Sequence, residues 1–121
     1  MGGIVALSAH KKGIEGVVID GACRDIEDIR KAGLWVASRH LTPRTGMRRV
    51  RLGGFGEPIM LAGVPVRRGD LVVGDATGLV IVPQDRLDAV LAIAERVNTS
   101  DARLEGAVAA ANSLSHAAKS A

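Results

Sequence analysis

Aromatic residues are almost missing from this sequence: Trp35 and Phe55 are the only two, and there is no tyrosine. A stacking platform for single-stranded nucleic acid needs several exposed rings, so nucleic acid is not an expected partner. Cysteine is limited to Cys23. That excludes an intrachain disulfide and a multi-cysteine zinc site, and it suits a reducing compartment. No apolar run approaches the ~20 residues of a membrane span. The opening MGGIVALSAHKK carries no basic leader and no small-residue cleavage site, so the expectation is a cytoplasmic protein without membrane contact. Net charge is also small, because 16 basic and 13 acidic residues leave only +3. Arg44, Arg48, Arg49 and Arg51 form a local basic run, read here as a solvated edge and loop rather than a phosphate-binding surface.

What is present is ordinary globular composition, with 47% hydrophobic and 24% charged residues in a 121-residue chain. That length fits a single domain over 1–121. Residues 3–12 read as a short helix with Ile4, Leu7 and Ser8 on one face, stopped by Gly13. The β-branched run at 16–19 reads as a strand buried on both faces. The loop Asp20-Gly21-Ala22-Cys23-Arg24-Asp25 follows, then a helix over 26–32 with Asp25 as its cap and Gly33 as its stop. Strands are expected at 34–38, 50–52, 57–61, 64–66, 71–73 and 79–82, separated by turn residues. Asp75 and Gly78 read as one such turn. The segment 84–121 reads as two helices, parted by a break and cap at Asn98-Thr99-Ser100-Asp101, with Leu104, Val108, Ala111 and Leu114 or Ser115 on one side of the second.

The residues best suited to chemistry are Arg24 and Asp25, between a buried-type strand and a helix N-terminus. Ligands in α/β folds gather at the carboxyl ends of strands. Arg24 offers a planar fork for a carboxylate, and Asp25 offers hard oxygens for a cation such as Mg²⁺. A metal beside an arginine is a sensible receiver for a 2-oxo acid. The pair alone is equally explained by a helix cap beside a surface charge. The backbone of Gly2, Gly3, Ile4 and Val5 opens the first helix and is a second anion-binding candidate, set against a frayed chain end. His10, His40 and His116 have no metal-ligand spacing. Gly13-Ile14-Glu15-Gly16 has the form of an RNA-clamping GxxG loop, but Glu15 would repel a phosphate. Cys23 lacks a base partner and is not expected to be a nucleophile.

The stretch GGIVALSAHKKGIEGVVIDGACRDIEDIRKAG, followed by HLTPR and GVPVRRGDLVVGDATGLVIVP, resembles the RraA-like family, which includes the 4-hydroxy-4-methyl-2-oxoglutarate/4-carboxy-4-hydroxy-2-oxoadipate aldolases. The resemblance implies an α/β fold, the swivelling β/β/α layered domain, with helices at the C-terminal end. It implies a Mg²⁺- or Mn²⁺-dependent lyase that releases pyruvate from 2-oxo acids by retro-aldol cleavage and also decarboxylates oxaloacetate. Carried over, Arg24 matches the substrate-carboxylate arginine, Asp25 the metal-binding aspartate, and Gly2, Gly3, Ile4 and Val5 the segment whose backbone binds substrate. The family assembles as trimers or stacked hexamers, and a neighbouring subunit supplies an acidic residue for which Asp101 and Glu105 are candidates. Two departures stand out. Family members carry a further N-terminal region, and the aldolases place an acidic residue where Gly3 stands, which predicts that aldol cleavage suffers more than decarboxylation. The alternatives are a non-catalytic RraA-like regulator of ribonuclease E and an inactive remnant.

Overall fold

The β-branched run at residues 17–19 extends further than its apolar stretch. In the computed structural model, which describes residues 1–111, strand β1 spans Gly16–Cys23 and pairs in parallel with β2, Trp35–Leu41. A parallel pair needs a crossover, and helix α2, Ile26–Ala32, supplies it. Residues 20–23 are therefore strand rather than loop. The register slips between Ile19 and Ala22, and this bulge carries Asp20 and Gly21. β1 is half-buried along most of its length instead of buried on both faces, since β2 is its one partner among the described residues.

Helix α1, Gly3–Lys11, precedes β1. Its buried residues are Gly3 and Ala6, not the expected Ile4–Leu7–Ser8 face, and Ile4 is 87% exposed. Small side chains one turn apart let α2 approach closely at this point. Gly13 and Gly33 end the two helices with φ near +77° and +76°, the left-handed conformation that glycine adopts without penalty. Ala6, Cys23, Ile29 and Leu34 form the buried cluster beneath them, flanked by Met1, Ala9, Val17, Ile19, Ile26 and Val36.

The hairpin β3–β4, Ile59–Leu61 and Val64–Val66, turns through Ala62 and Gly63, both at positive φ. This two-residue loop suits the twist of an antiparallel pair. The Ala62 N–H donates to Asp20 Oδ2 at 2.7 Å, and Asp20 also pairs with Arg39. Residues 50–52 form no strand. The Gly46 carbonyl instead accepts from Arg49 and Val50, at 2.9 and 3.1 Å. Arg44, Arg48, Arg49 and Arg51 are all exposed there, as expected.

Met1–Val66 is one compact unit, and a second begins at Arg67. The second unit contains the hairpin β5–β6, Leu71–Gly74 and Leu79–Val82, a short 3-10 turn, and α3, Leu87–Ala111. The β5–β6 turn is built as expected. Asp75 Oδ1 accepts from the N–H groups of Thr77 and Gly78 at 2.7 and 3.1 Å and from the Thr77 hydroxyl at 2.5 Å. α3 has no break at 98–101. The Thr99 and Ser100 hydroxyls donate to the carbonyls of Glu95 and Arg96, at 2.9 and 3.1 Å, so residues expected to cap a helix bond back along one. Leu114, Ser115 and His116 lie outside the described residues. No described helix is long and apolar enough to cross a membrane.

Candidate active site

The end of β1 fixes the site. The Arg24 N–H donates to the Met1 carbonyl at 2.9 Å, and the Met1 nitrogen donates to the Ala22 carbonyl at 3.2 Å. These two bonds lay Met1 and Gly2 alongside the strand end instead of leaving them frayed. Gly2 and Gly3, which open the Gly2-Gly3-Ile4-Val5 segment, thereby reach Arg24 and Asp25, more than twenty positions later in the sequence.

Asp25 sits at the N-cap position of α2 but does not cap it, because its side chain makes no hydrogen bond to that helix. Its backbone is left-handed, with φ 60° and ψ 46°. Aspartate tolerates this region better than most residues, yet such a conformation costs on the order of 1–3 kcal/mol and persists where other contacts impose it. Here it turns the carboxylate back towards α1. Oδ2 accepts from the Gly3 N–H at 3.3 Å. One Arg24 Nη lies 3.3 Å from Oδ1 and 3.2 Å from Oδ2. Both side chains keep about a third of their surface in solvent, 39% and 32%, so the pair is organised and still accessible.

Gly2 and Gly3 are both buried, and each lacks a side chain for a steric reason. A Cβ on Gly2 would stand 2.8 Å from Asp25 Oδ2 and 3.0 Å from Arg24 Nε. A Cβ on Gly3 would stand 2.6 Å from the Cβ of Asp28 and 3.3 Å from its Oδ2. The first bond within α1 runs from the Ala6 N–H to the Gly2 carbonyl. The N–H groups of Ile4 and Val5 consequently have no partner inside the helix and remain open to an anionic group. Beside them, Gly3, Ile4, Leu7, Asp28, Lys31 and Ala32 line an open groove of about 300 Å³.

The structure thus brings all six sequence-identified residues, Gly2, Gly3, Ile4, Val5, Arg24 and Asp25, to one place. It adds Asp28, which sequence reading passed over. The available signal was a carboxylate in the first turn of the helix that follows the Arg24–Asp25 pair. His10 and His40 are exposed, and no cluster of three metal-ligating side chains occurs among the described residues. Cys23 is buried, with its Sγ 3.0 Å from Ser38 Oγ. Asp101 and Glu105 are exposed on α3, in the other unit.

The clearest electrostatic effects lie outside this site. The Ala62 N–H, then the Arg39 side chain, hold the Asp20 carboxyl below the usual range. Thr77, through its hydroxyl and its N–H, and Gly78 do the same for Asp75. Both carboxylates organise turns.

Known proteins share this fold. A solved structure of an uncharacterized protein from Pseudomonas syringae pv. tomato superposes with a TM-score of 0.89 at 31% identity, over 96% of this chain and 58% of that one. The RNA-processing inhibitor RraA from Thermus thermophilus superposes with a TM-score of 0.57 at 31% identity, over 69% and 50%. A Thermus thermophilus protein named 4-hydroxy-4-methyl-2-oxoglutarate aldolase is 32% identical over 84 residues, 69% of this chain and 51% of that protein. The chain spans about half the length of the curated relatives it matches. The model of the RraA-like family, described as Aldolase/RraA, matches residues 1–81. With the strand, the crossover helix and the Arg24–Asp25 pair all inside that match, the chain belongs to the RraA-like family.

Proposed function

We propose that this chain is a divalent-metal-dependent lyase acting on 2-oxo acids, cleaving 4-hydroxy-4-methyl-2-oxoglutarate-type substrates to pyruvate, decarboxylating oxaloacetate, or both. One observation carries the reading. An arginine and an aspartate stand side by side and partly open, against a buried glycine whose missing side chain leaves room beside both. A Cβ would fill that cradle. The aldolase name of the Thermus relative supports the same reading.

The donor set fits a hard cation of the Mg²⁺ or Mn²⁺ type. Such ions need only one or two protein carboxylates and take water and substrate oxygens for the rest. Asp25 would hold the ion, which when bound polarises the 2-keto oxygen of the substrate. The chain's own residues do the remainder. The Arg24 guanidinium receives the adjacent carboxylate as a planar, permanently charged fork. The Gly3 N–H steadies Asp25 from behind. The open N–H groups of Ile4 and Val5 receive further anionic oxygens at the positive end of α1.

The test is pyruvate formation from oxaloacetate by folded protein, with Mg²⁺ and with EDTA, against a metal-only control. The lyase reading expects metal-dependent turnover that Arg24→Ala and Asp25→Ala both abolish. The likeness to an RNA-processing inhibitor favours a second reading, a protein-binding regulator of ribonuclease E type. Turnover no faster than the metal-only control would move the assignment there.

A further inference from the structure

We infer that Asp28 is the base of the retro-aldol step, accepting the proton from the substrate's C4 hydroxyl; the inference rests on the lyase reading above. The chemistry sets the requirement. When the C3–C4 bond breaks, its electron pair stays with C3, and C4 becomes a carbonyl only as its hydroxyl gives up a proton. Oxaloacetate makes no such demand, because its departing carboxylate is already ionised and leaves as CO₂. One substrate class therefore needs a base that the other does not.

Among the residues gathered here, one group suits the task. Arg24 is a permanent cation and cannot accept a proton. Both oxygens of Asp25 are engaged by Arg24, and one also by the Gly3 N–H. Asp28 makes no ion pair and no side-chain hydrogen bond among the described residues. It stands in the first turn of α2, three residues beyond Asp25. Gly3 links the two carboxylates. Its N–H holds Asp25, and its bare Cα faces Asp28, whose Oδ2 lies 3.3 Å from the point a Gly3 Cβ would occupy. Asp28 also borders the open groove, which Ile4, Leu7 and the cationic Lys31 line as well. Glu27 does not line that groove.

The step balances without a co-reactant. The hydroxyl proton passes to the Asp28 carboxylate, C4 becomes the ketone of one pyruvate, and C3 takes up a proton from Asp28 or water to complete the second. Nothing is oxidised or reduced. The facing helix thus brings a carboxylate beside residue 3, whose own position carries none.

The experiment compares Asp28→Asn with the wild-type chain on 4-hydroxy-4-methyl-2-oxoglutarate and on oxaloacetate, both with Mg²⁺. Loss of a general base is expected to lower kcat for the aldol substrate by about 10²–10⁴-fold, with KM and oxaloacetate turnover little changed. A second variant exchanges the two residues, Gly3→Asp with Asp28→Gly, since Asp28→Ala would keep the Cβ that crowds residue 3. An aspartate is favourable in the first turn of a helix, and the exchange is expected to recover part of the aldol rate. Wild-type aldol turnover in Asp28→Asn overturns the inference, and so does an equal loss on both substrates, the mark of a merely structural role. A wild-type chain that decarboxylates oxaloacetate but cleaves no aldol substrate overturns it while leaving the lyase reading intact. A folded wild-type chain inactive on both substrates overturns the lyase reading and this inference with it.

Discussion

Replacing Gly2 and Gly3 with alanine, one at a time, should give opposite results although the residues are neighbours. Gly2 has φ −137° and ψ 175°, ordinary extended backbone that alanine adopts freely. The new Cβ would meet Asp25 Oδ2 at 2.8 Å and Arg24 Nε at 3.0 Å, the far ends of side chains that can swing aside. Restricting the unfolded chain returns roughly 0.4–1 kcal/mol. Gly2→Ala should therefore keep its stability to within about 1 kcal/mol while displacing the Arg24–Asp25 pair. A displacement near 1 Å costs a well-positioned site about 10²-fold. Gly3→Ala faces the root of a side chain instead of its tip. Its Cβ would stand 2.6 Å from Asp28 Cβ, 0.8 Å short of the 3.4 Å at which ordinary contact begins. No rotamer relieves this, so α1 and α2 must separate. Overpacking costs about 1–3 kcal/mol, and helix propensity returns at most about 1 kcal/mol. With the full return the net loss is up to about 2 kcal/mol, and each 1 kcal/mol lowers Tm by about 4–8 °C in a domain of 60–100 residues. Urea and thermal unfolding read the stabilities, and oxaloacetate decarboxylation reads the site. A Gly3→Ala chain as stable as wild type would refute the packing argument. A Gly2→Ala chain with wild-type turnover would refute the cradle.

Three further predictions concern the rest of the molecule. The Asp20 carboxyl is held below its ordinary value of 3.8, first by the Ala62 N–H and then by Arg39; a lowered folded value means that its stabilisation is complete above 3.8 and fades as pH falls through the lower folded value. Urea midpoints of wild type and Asp20→Asn should accordingly differ at neutral pH and converge in acid; a gap that widens in acid would contradict the assigned contacts. Thr99→Pro should remove a bond inside a continuous α3 and cost ~3 kcal/mol or more, visible as lost helical circular dichroism; an unchanged spectrum would indicate the break at 98–101 after all. Ile4 and Phe55 are 87% and 92% exposed, apolar surface that subunit association would cover, and sedimentation equilibrium is expected to give a trimer or hexamer; a monomer would contradict that assembly.

Much of the fold was legible in the sequence where its signals are local. The β-branched residues Val17, Val18 and Ile19 mark β1, and Gly13 and Gly33 sit where their helices end. Asp75 and Gly78 form their turn through contacts within four residues. The misreadings have equally specific causes. The alternation Arg49-Val50-Arg51-Leu52 has the period of a strand, but no partner strand pairs with it among the described residues. Thr99 and Ser100 look like a cap, yet their hydroxyls bond equally well to carbonyls four residues back. Asp25 stands where a cap belongs, and only its left-handed backbone reveals that its carboxylate faces α1. The pairing of Gly3 with Asp28 joins residues 25 positions apart through a close helix contact, and no spacing rule reaches that far.

The central claim is that the Asp25 carboxylate holds the divalent cation against which Arg24 seats a 2-oxo acid. A calorimetric titration of Mn²⁺ into the chain with oxalate, an unreactive two-carboxylate ligand, tests it most directly. Asp25→Asn is the variant of choice, because asparagine also tolerates the left-handed backbone and should leave Tm nearly unchanged. The account predicts one Mn²⁺ per chain for wild type and none for Asp25→Asn at the same concentrations. Equal Mn²⁺ binding by the two would contradict it.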